Sequence, residues 1–155
     1  TKLKASMEIA NRVLAARFET NRTIAKADDV FDLVGLEMAM LEEEQLRVIL
    51  LNTRSELLGV KTLYQGSTNL VPVRIAEIMR EAIRINATAM IIVHNHPSGD
   101  PTPSAADISL TLDVEKACEL MGIKLQDHVI IGQGRCVSLR RLGIGFAQKE
   151  AQPKS

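Results

Sequence analysis

The sequence contains little cysteine and few aromatic residues. Its 155 residues include two cysteines, no tryptophan, one tyrosine and three phenylalanines. Cys118 and Cys136 do not form a CxxC pair, which argues against a zinc finger or a disulfide framework and fits a reducing, cytoplasmic location. The scarcity of aromatic rings also disfavours a protein that binds single-stranded nucleic acid by base stacking.

The sequence also has no net charge and no long apolar run. Nineteen basic residues balance nineteen acidic residues, so no global charge attracts nucleic acid or a membrane surface. No segment has the uncharged apolar length of a membrane helix or a signal peptide. Hydrophobic residues make up 46% of the chain, which is typical of a globular domain of ordinary size. The best candidate for a local basic patch is the cluster Arg135, Arg140 and Arg141, for which a solvated face is the simpler interpretation.

The chain divides into three segments. Residues 1–41 are expected to be an N-terminal helical segment at the edge of an upstream region, because apolar residues such as Leu3 and Met7 recur at helical spacing. Residues 42–147 form the main domain. Residues 148–155 are polar and are expected to be a frayed tail.

The main domain alternates between strand and helix patterns. Apolar or β-branched runs predict strands at 46–51, 57–64, 88–93, 123–131 and 135–139, and helical spacing predicts helices near 75–83 and over 104–121. Strand pairs separated by helices predict an α/β fold, with a mixed β-sheet flanked by helices.

The most informative stretch of the sequence runs from His94 to Asp107. His94 and His96 directly follow the predicted strand at 88–93, and residues two apart in an extended chain point to the same side. Pro97 biases His96 away from helix, which keeps this alternation. Asp107 follows a stiff, proline-rich loop. Zinc in a hydrolytic site takes three such ligands and one water, so His94, His96 and Asp107 predict a zinc site.

The same residues also have a structural interpretation that needs no metal. Ser104-x-x-Asp107 fits a helix-capping motif with aspartate in place of the usual glutamate, and a lone histidine is more often structural than a ligand. Two histidines at this spacing, followed by an acid after a rigid loop, favour the metal. The identity of the native metal stays open, because histidine and carboxylate ligands suit several divalent ions.

His94-x-His96-Pro97 followed by Ser104-x-x-Asp107 resembles the JAMM motif of the MPN metallohydrolases. The longer run 94–104 resembles the bacterial RadC-like branch of that family, and the similarity extends to 44–53 upstream and 125–132 downstream. The resemblance implies an MPN/JAB domain, akin to the cytidine-deaminase-like architecture. It also implies one Zn²⁺ per chain.

The resemblance further implies a catalytic base. Glu42, Glu43 and Glu44 precede the strand at 46–51, and on their own they are typical of a solvated helix end. JAMM proteins carry a glutamate at the start of this strand, which assigns Glu44 as the residue that takes the proton of the metal-bound water. Glu43 is the alternative, since neighbouring residues of a strand point to opposite faces. Ser104 is then expected to donate a hydrogen bond to the developing oxyanion.

Three further polar residues near the motif are not expected to bind the metal. Asp100 is expected to form a turn. Asp127 and His128 resemble family positions on a later strand, where support of the ligands and a plain core role both remain open.

Three functions are compatible with the sequence. The resemblance implies a zinc-dependent hydrolase, a metalloprotease that cleaves peptide or isopeptide bonds in an unidentified protein substrate. RadC-like proteins are traditionally labelled DNA repair proteins, so a DNA-binding or nuclease domain is an alternative, although charge and composition support it weakly. A non-catalytic interaction module is the third, and the complete set of metal ligands argues against it. No membrane partner is expected, and the oligomeric state stays open.

Overall fold

The computed structural model describes residues 2–17, 22–66 and 73–147, with side chains from residue 22 onward and at residues 2–9. The polar tail predicted at 148–155 lies outside these residues. The described part has an α/β fold in which helices flank a mixed five-stranded sheet, and this confirms the predicted fold class. The strands are β1 (Glu44–Leu51), β2 (Leu57–Gly66), β3 (Ala89–Asn95), β4 (Lys124–Ile131) and β5 (Cys136–Ser138).

Six helices accompany the sheet in the described residues. Their bounds are α1 (Lys2–Arg17), α2 (Ala27–Val30), α3 (Leu36–Ala39), α4 (Ile75–Arg84), α5 (Ala105–Met121) and α6 (Leu139–Leu142), and a π-helical turn at Phe31–Gly35 joins α2 to α3. None of them is long and apolar enough to cross a membrane.

The strands lie in the order β2-β1-β3-β4-β5. β1 pairs antiparallel with both β2 and β3, β3 pairs parallel with β4, and β4 pairs antiparallel with β5. Helix α5 makes the crossover that a parallel pair requires. The carboxyl ends of β3 and β4 therefore lie side by side, close to the amino end of α5.

Alternation along the buried strands supplies both faces of the sheet with core residues. In β3, Met90 and Ile92 pack into one core cluster with residues of α4 and α5, while Ile91 and Val93 pack into a second cluster with residues of α2, the π-helical turn and α3. This continuous burial is typical of a strand that is covered on both faces.

The predicted helix and its cap are both present in α5. Ser104 caps the helix, as the capping motif indicated, and Gly122 ends it with a left-handed φ of 67°. The buried line of the helix runs through Asp107, Thr111, Val114 and Cys118, because the start of α5 faces a polar site.

Two differences concern the ends of the chain. Leu3 and Met7 lie on the predicted helix α1, and their side chains are 73% and 60% exposed. The strand predicted at 135–139 is shorter, because Ser138 caps a short helix that begins at Leu139. The sequence pattern did not indicate this helix.

Candidate metal centre

Three elements bring the predicted site residues together. His94 lies near the carboxyl end of β3, and His96 follows that strand. Asp107 lies in the first turn of α5, and Glu44 is the first residue of β1. The cluster thus forms at the carboxyl edge of the parallel strand pair, where α/β sheets commonly place ligand sites.

The ligand atoms of His94, His96 and Asp107 converge. His94 Nε2 lies 3.0 Å from His96 Nε2 and 3.1 Å from Asp107 Oδ1, and His96 Nε2 lies 3.4 Å from Asp107 Oδ2. A tetrahedral zinc ion with bonds of about 2.0–2.2 Å would separate its ligand atoms by about 3.3–3.6 Å. Two imidazole nitrogens facing each other beside a carboxylate form a donor set that suits a cation. These three residues fit a divalent metal.

Glu44 lies at the edge of the same cluster. Its Oε1 is 4.0 Å from His94 Nε2, and its side chain is 16% exposed. Ligand atoms of Glu44, His94 and His96 all lie within 4.8 Å of one another, so this group could also hold a metal ion. Asp107 is closer than Glu44 to both imidazoles and is almost fully buried.

The pairing register explains why Glu44 and not Glu43 faces the histidines. Leu46 of β1 lies opposite His94 of β3. Alternation therefore directs Glu44 and Leu46 to the same face as His94. Glu43 is exposed, and its carboxylate accepts a hydrogen bond from Gln65 Nε2 at 3.2 Å.

Hydrogen bonds to the other ring nitrogens orient both imidazoles. His96 Nδ1 lies 2.9 Å from the Asp100 carbonyl oxygen, which can only accept, so this nitrogen donates. His94 Nδ1 lies 2.8 Å from His128 Nε2. Both contacts leave Nε2 turned towards the site, which is the usual arrangement for metal-binding histidines.

Two buried residues extend this network behind His94. His128 Nδ1 lies 2.6 Å from Thr111 Oγ1, and that hydroxyl lies 2.6 Å from the Asp107 carbonyl oxygen. His128 and Thr111 are fully buried. His128 therefore contacts the ring of His94 on the side away from Asp107. Sequence reasoning missed Thr111, whose only signal was its position one helical turn after Asp107.

Ser104 and Asp107 form a reciprocal capping box. The Ser104 N–H and hydroxyl donate to Asp107 Oδ2 at 2.6 and 2.7 Å, and the Asp107 N–H donates to Ser104 Oγ at 3.2 Å. The capping role of Ser104 is thus present in the structure. It also holds the carboxylate so that Oδ1 faces His94.

The protonation states follow from burial and hydrogen bonding. Burial alone would raise the pKa of Asp107, but hydrogen bonds from His94 and His96 outweigh it and lower that pKa well below its usual range. The hydrogen bond to Asp107 raises the pKa of His96 against the opposing effect of burial. Burial lowers the pKa of His128 far below that of a free histidine. Asp107 is accordingly anionic and His128 neutral near pH 7.

The other polar residues of the motif have structural contacts. Asp100 forms a turn, as predicted: its Oδ1 accepts hydrogen bonds from Thr102 N and Oγ1 at 3.0 and 2.7 Å. Asp127 accepts a hydrogen bond from Ser138 Oγ at 2.6 Å, and burial raises its pKa.

Two arginines of the basic cluster contact other groups of the protein. The Arg140 guanidinium donates to the carbonyl oxygens of Leu125 and Gln126 and lies 3.5 Å over the Phe146 ring. Arg135 pairs with Asp100. All three arginines are exposed, and Arg135 and Arg140 each have a partner in this protein, which fits the interpretation as an ordinary solvated face.

Comparison with known proteins identifies the domain. A family model described as "RadC-like JAB domain" matches residues 24–144. Similar curated proteins include a "UPF0758 protein" of Roseiflexus castenholzii, 46% identical over 144 residues, and one of Chloroflexus aurantiacus, 45% identical over 144 residues. These alignments cover 93% of this chain but only 62% and 63% of the relatives. The chain therefore spans less than two thirds of their length, and their printed names state no activity.

Proposed function

This chain belongs to the RadC-like JAB domain family, and we propose that it is a metal-dependent hydrolase of the JAMM type. One observation carries the proposal: the Nε2 atoms of His94 and His96 converge with the Asp107 carboxylate at separations of 3.0–3.4 Å. The expected resemblance to this family is confirmed, and it makes hydrolysis the leading chemistry for such a site.

We assign His94, His96 and Asp107 as the ligands of one Zn²⁺ per chain. The support is their proximity, the anionic state of Asp107, and the contacts that turn each imidazole Nε2 towards the others. Zinc held in this way would lower the pKa of a bound water towards ~7 and polarise a substrate carbonyl. The three residues would supply three of the four ligands of such an ion, which would leave one position open for water and substrate.

Glu44 is proposed as the general base. Its greater distance from His94, 4.0 Å, and its partial exposure suit a residue that contacts a water rather than the metal itself. In this role the Glu44 carboxylate accepts a proton from the attacking water. It then delivers that proton to the leaving amine.

Ser104 is proposed to stabilise the oxyanion with its hydroxyl. That hydroxyl donates to Asp107 Oδ2 in the capping box, so it must rotate to serve a substrate oxygen. The Ser104 backbone N–H also donates to Asp107 Oδ2, at 2.6 Å. Because this second bond remains, the hydroxyl can leave without releasing the metal-binding carboxylate.

The proposed substrate is a peptide or isopeptide bond in a protein, in keeping with the family. The structure adds no support for DNA, since Arg140 contacts backbone carbonyl oxygens of this chain and Arg135 pairs with Asp100 at the surface. We therefore do not propose DNA binding or a purely structural role, and the experiments below would point to them if the hydrolase proposal failed.

The first experiment measures metal content after purification without added metal. About one zinc per chain is expected in the wild type and a large loss in Asp107→Ala. Asp100→Asn is the matched control, because the Asp100 carboxylate contacts Thr102 and Arg135 and not the histidines. A wild type that contains no metal and takes up none on titration would overturn the proposal.

The second experiment assays peptide and isopeptide cleavage by the zinc-loaded protein. Glu44→Gln should keep its zinc and lose at least about 100-fold in turnover, in line with the contribution of a general base. Glu43→Gln, one residue away and exposed, should retain wild-type turnover. Equal losses in both variants would argue against Glu44 as the base.

A further inference from the structure

We propose that Thr111 and His128 are positioning residues that fix which ring nitrogen of His94 carries its proton, so that His94 presents a free lone pair at Nε2. The inference rests on the proposed metal site, since His94 is one of its ligands. It concerns two residues that lie behind the ligands and make no contact with the metal position.

The structural basis is a series of three short hydrogen bonds. The distances are 2.8 Å from His94 Nδ1 to His128 Nε2, 2.6 Å from His128 Nδ1 to Thr111 Oγ1, and 2.6 Å from Thr111 Oγ1 to the Asp107 carbonyl oxygen. A neutral imidazole has one N–H, and a hydroxyl has one O–H. The direction of any one hydrogen bond therefore sets the direction of its neighbour.

Two arrangements of protons satisfy both imidazole contacts, and only the first also gives the Asp107 carbonyl oxygen the Thr111 proton. In the first, Thr111 donates to the Asp107 carbonyl, His128 Nδ1–H donates to Thr111, and His94 Nδ1–H donates to His128 Nε2. His94 Nε2 then carries a lone pair. In the second, Thr111 donates to His128 Nδ1, and His128 Nε2–H donates to His94 Nδ1. His94 Nε2–H then points at Asp107 Oδ1, which lies 3.1 Å away.

Only the first arrangement allows His94 to bind a metal through Nε2. A mixed arrangement would place two N–H groups, or two lone pairs, against each other at 2.8 Å in a fully buried position. Buried polar groups left unsatisfied in this way are strongly disfavoured. The protons of His94, His128 and Thr111 therefore shift together. We infer that metal loading selects the first arrangement and that the second belongs to the metal-free protein.

Thr111 stabilises the first arrangement, because its oxygen is the acceptor for His128 Nδ1–H. Thr111→Val keeps the shape of the side chain but removes this acceptor. In the first arrangement this variant leaves the buried His128 Nδ1–H without an acceptor. In the second arrangement it leaves only the His128 Nδ1 lone pair without a donor. Thr111→Ser keeps the hydroxyl and serves as the conservative rescue.

The first test measures zinc affinity by competition with a chelator. Thr111→Val should bind zinc about 10- to 100-fold more weakly than wild type, the usual effect of losing a residue that supports a metal ligand. Thr111→Ser should restore affinity to within about threefold. Thermal unfolding of each metal-free variant separates loss of folded protein from loss of affinity. Equal zinc affinity in Thr111→Val and wild type would overturn the inference while leaving the metal site intact.

The second test reads the tautomers directly by ¹H–¹⁵N imidazole NMR of wild-type protein, so it needs no variant. The His128 proton should lie on Nε2 without metal and on Nδ1 after zinc is added. A proton that stays on Nε2 in the zinc-loaded protein would overturn the inference. A wild type that binds no zinc would overturn the proposed function and this inference together. Unchanged affinity in Thr111→Val, or a His128 proton that stays on Nε2, would overturn this inference alone.

Discussion

The side chain of Asn95 holds the backbone at Gln45. Asn95 Oδ1 accepts a hydrogen bond from the Gln45 N–H at 2.8 Å, and Asn95 Nδ2 donates to the Glu43 carbonyl oxygen at 3.1 Å. The two bonds flank Glu44 on either side. Because Asn95 lies between the two histidines, one amide ties the strand that carries the proposed base to the strand that carries the proposed ligands.

Asn95→Ala should therefore uncouple turnover from metal binding. The ligands stay in place, so zinc content should remain near one per chain, while turnover should fall at least about tenfold because Glu44 is no longer held. Loss of two hydrogen bonds, one buried and one partly buried, should lower the free energy of unfolding by about 1–3 kcal/mol. Urea unfolding, metal analysis and peptide cleavage measure the three quantities.

The control for Asn95→Ala is Asn52→Ala. Asn52 Oδ1 accepts hydrogen bonds from the N–H groups of Arg54 and Glu56 in the turn between β1 and β2, away from the histidines. This variant should lose stability without losing turnover per folded molecule. Unchanged turnover in Asn95→Ala would contradict the proposed coupling.

Gly132→Ala should disturb the loop that carries His96. A Cβ at this position would lie 2.5 Å from the Gly99 carbonyl oxygen and 2.6 Å from Pro101 Cδ. Because backbone and a rigid ring oppose it, the loop must move, and overpacking of this kind costs about 1–3 kcal/mol. Both the melting temperature and the zinc affinity should fall. Gly59→Ala is the control, since a Cβ there meets no atom within 4 Å. An equal loss of zinc affinity in both variants would argue against the clash at Gly132 as the cause.

Zinc affinity should depend on pH through His96. The hydrogen bond to Asp107 raises the pKa of His96 in the metal-free protein, so a proton competes with the metal for Nε2. Apparent affinity should rise with pH, by up to about tenfold per unit, until the pH passes this raised pKa, and it should then level off. Chelator competition between about pH 5.5 and about pH 8.5 measures the profile. An affinity that is flat throughout this range would contradict the expectation.

Ser104→Ala should separate the two roles of this serine. Loss of the cap should cost about 1 kcal/mol of unfolding free energy, while the Ser104 N–H should still hold Asp107 and keep zinc content near wild type. Turnover should fall about 10²- to 10³-fold if the hydroxyl stabilises the oxyanion. Ser138→Ala removes the cap of α6 instead and should leave turnover unchanged. Wild-type turnover in Ser104→Ala would show that the serine caps the helix and does not stabilise the oxyanion.

Much of the fold and part of the site could be predicted from residues close together in sequence. The strand before His94, the Ser104 cap and the end of α5 at Gly122 are local features, since a few neighbouring side chains and backbone angles determine each of them. The His-x-His spacing and the acid after the loop are also local. They were enough to indicate a metal site, although the assignment of His94, His96 and Asp107 as ligands remains a prediction.

Tertiary structure alone decided which residues complete the site. The sequence left Glu43 and Glu44 as alternatives, and the register of β1 against β3, together with Asn95, turns Glu44 towards His94. Thr111 carries no motif, and its part in the network depends on the distance between α5 and β4.

The physical reason is the range of the interactions involved. Capping, turns and side-chain alternation act over a few residues, so a sequence pattern can show them. The contacts of Asn95 with Gln45 and of His94 with His128 join residues 50 and 34 positions apart. A shift of one residue in strand pairing would break the first of these contacts and turn Glu44 to the opposite face of the sheet. Sequence pattern thus determined the loop from His94 to Asp107 and its flanking elements, and packing of the sheet decided which acid and which hydroxyl lie beside the histidines.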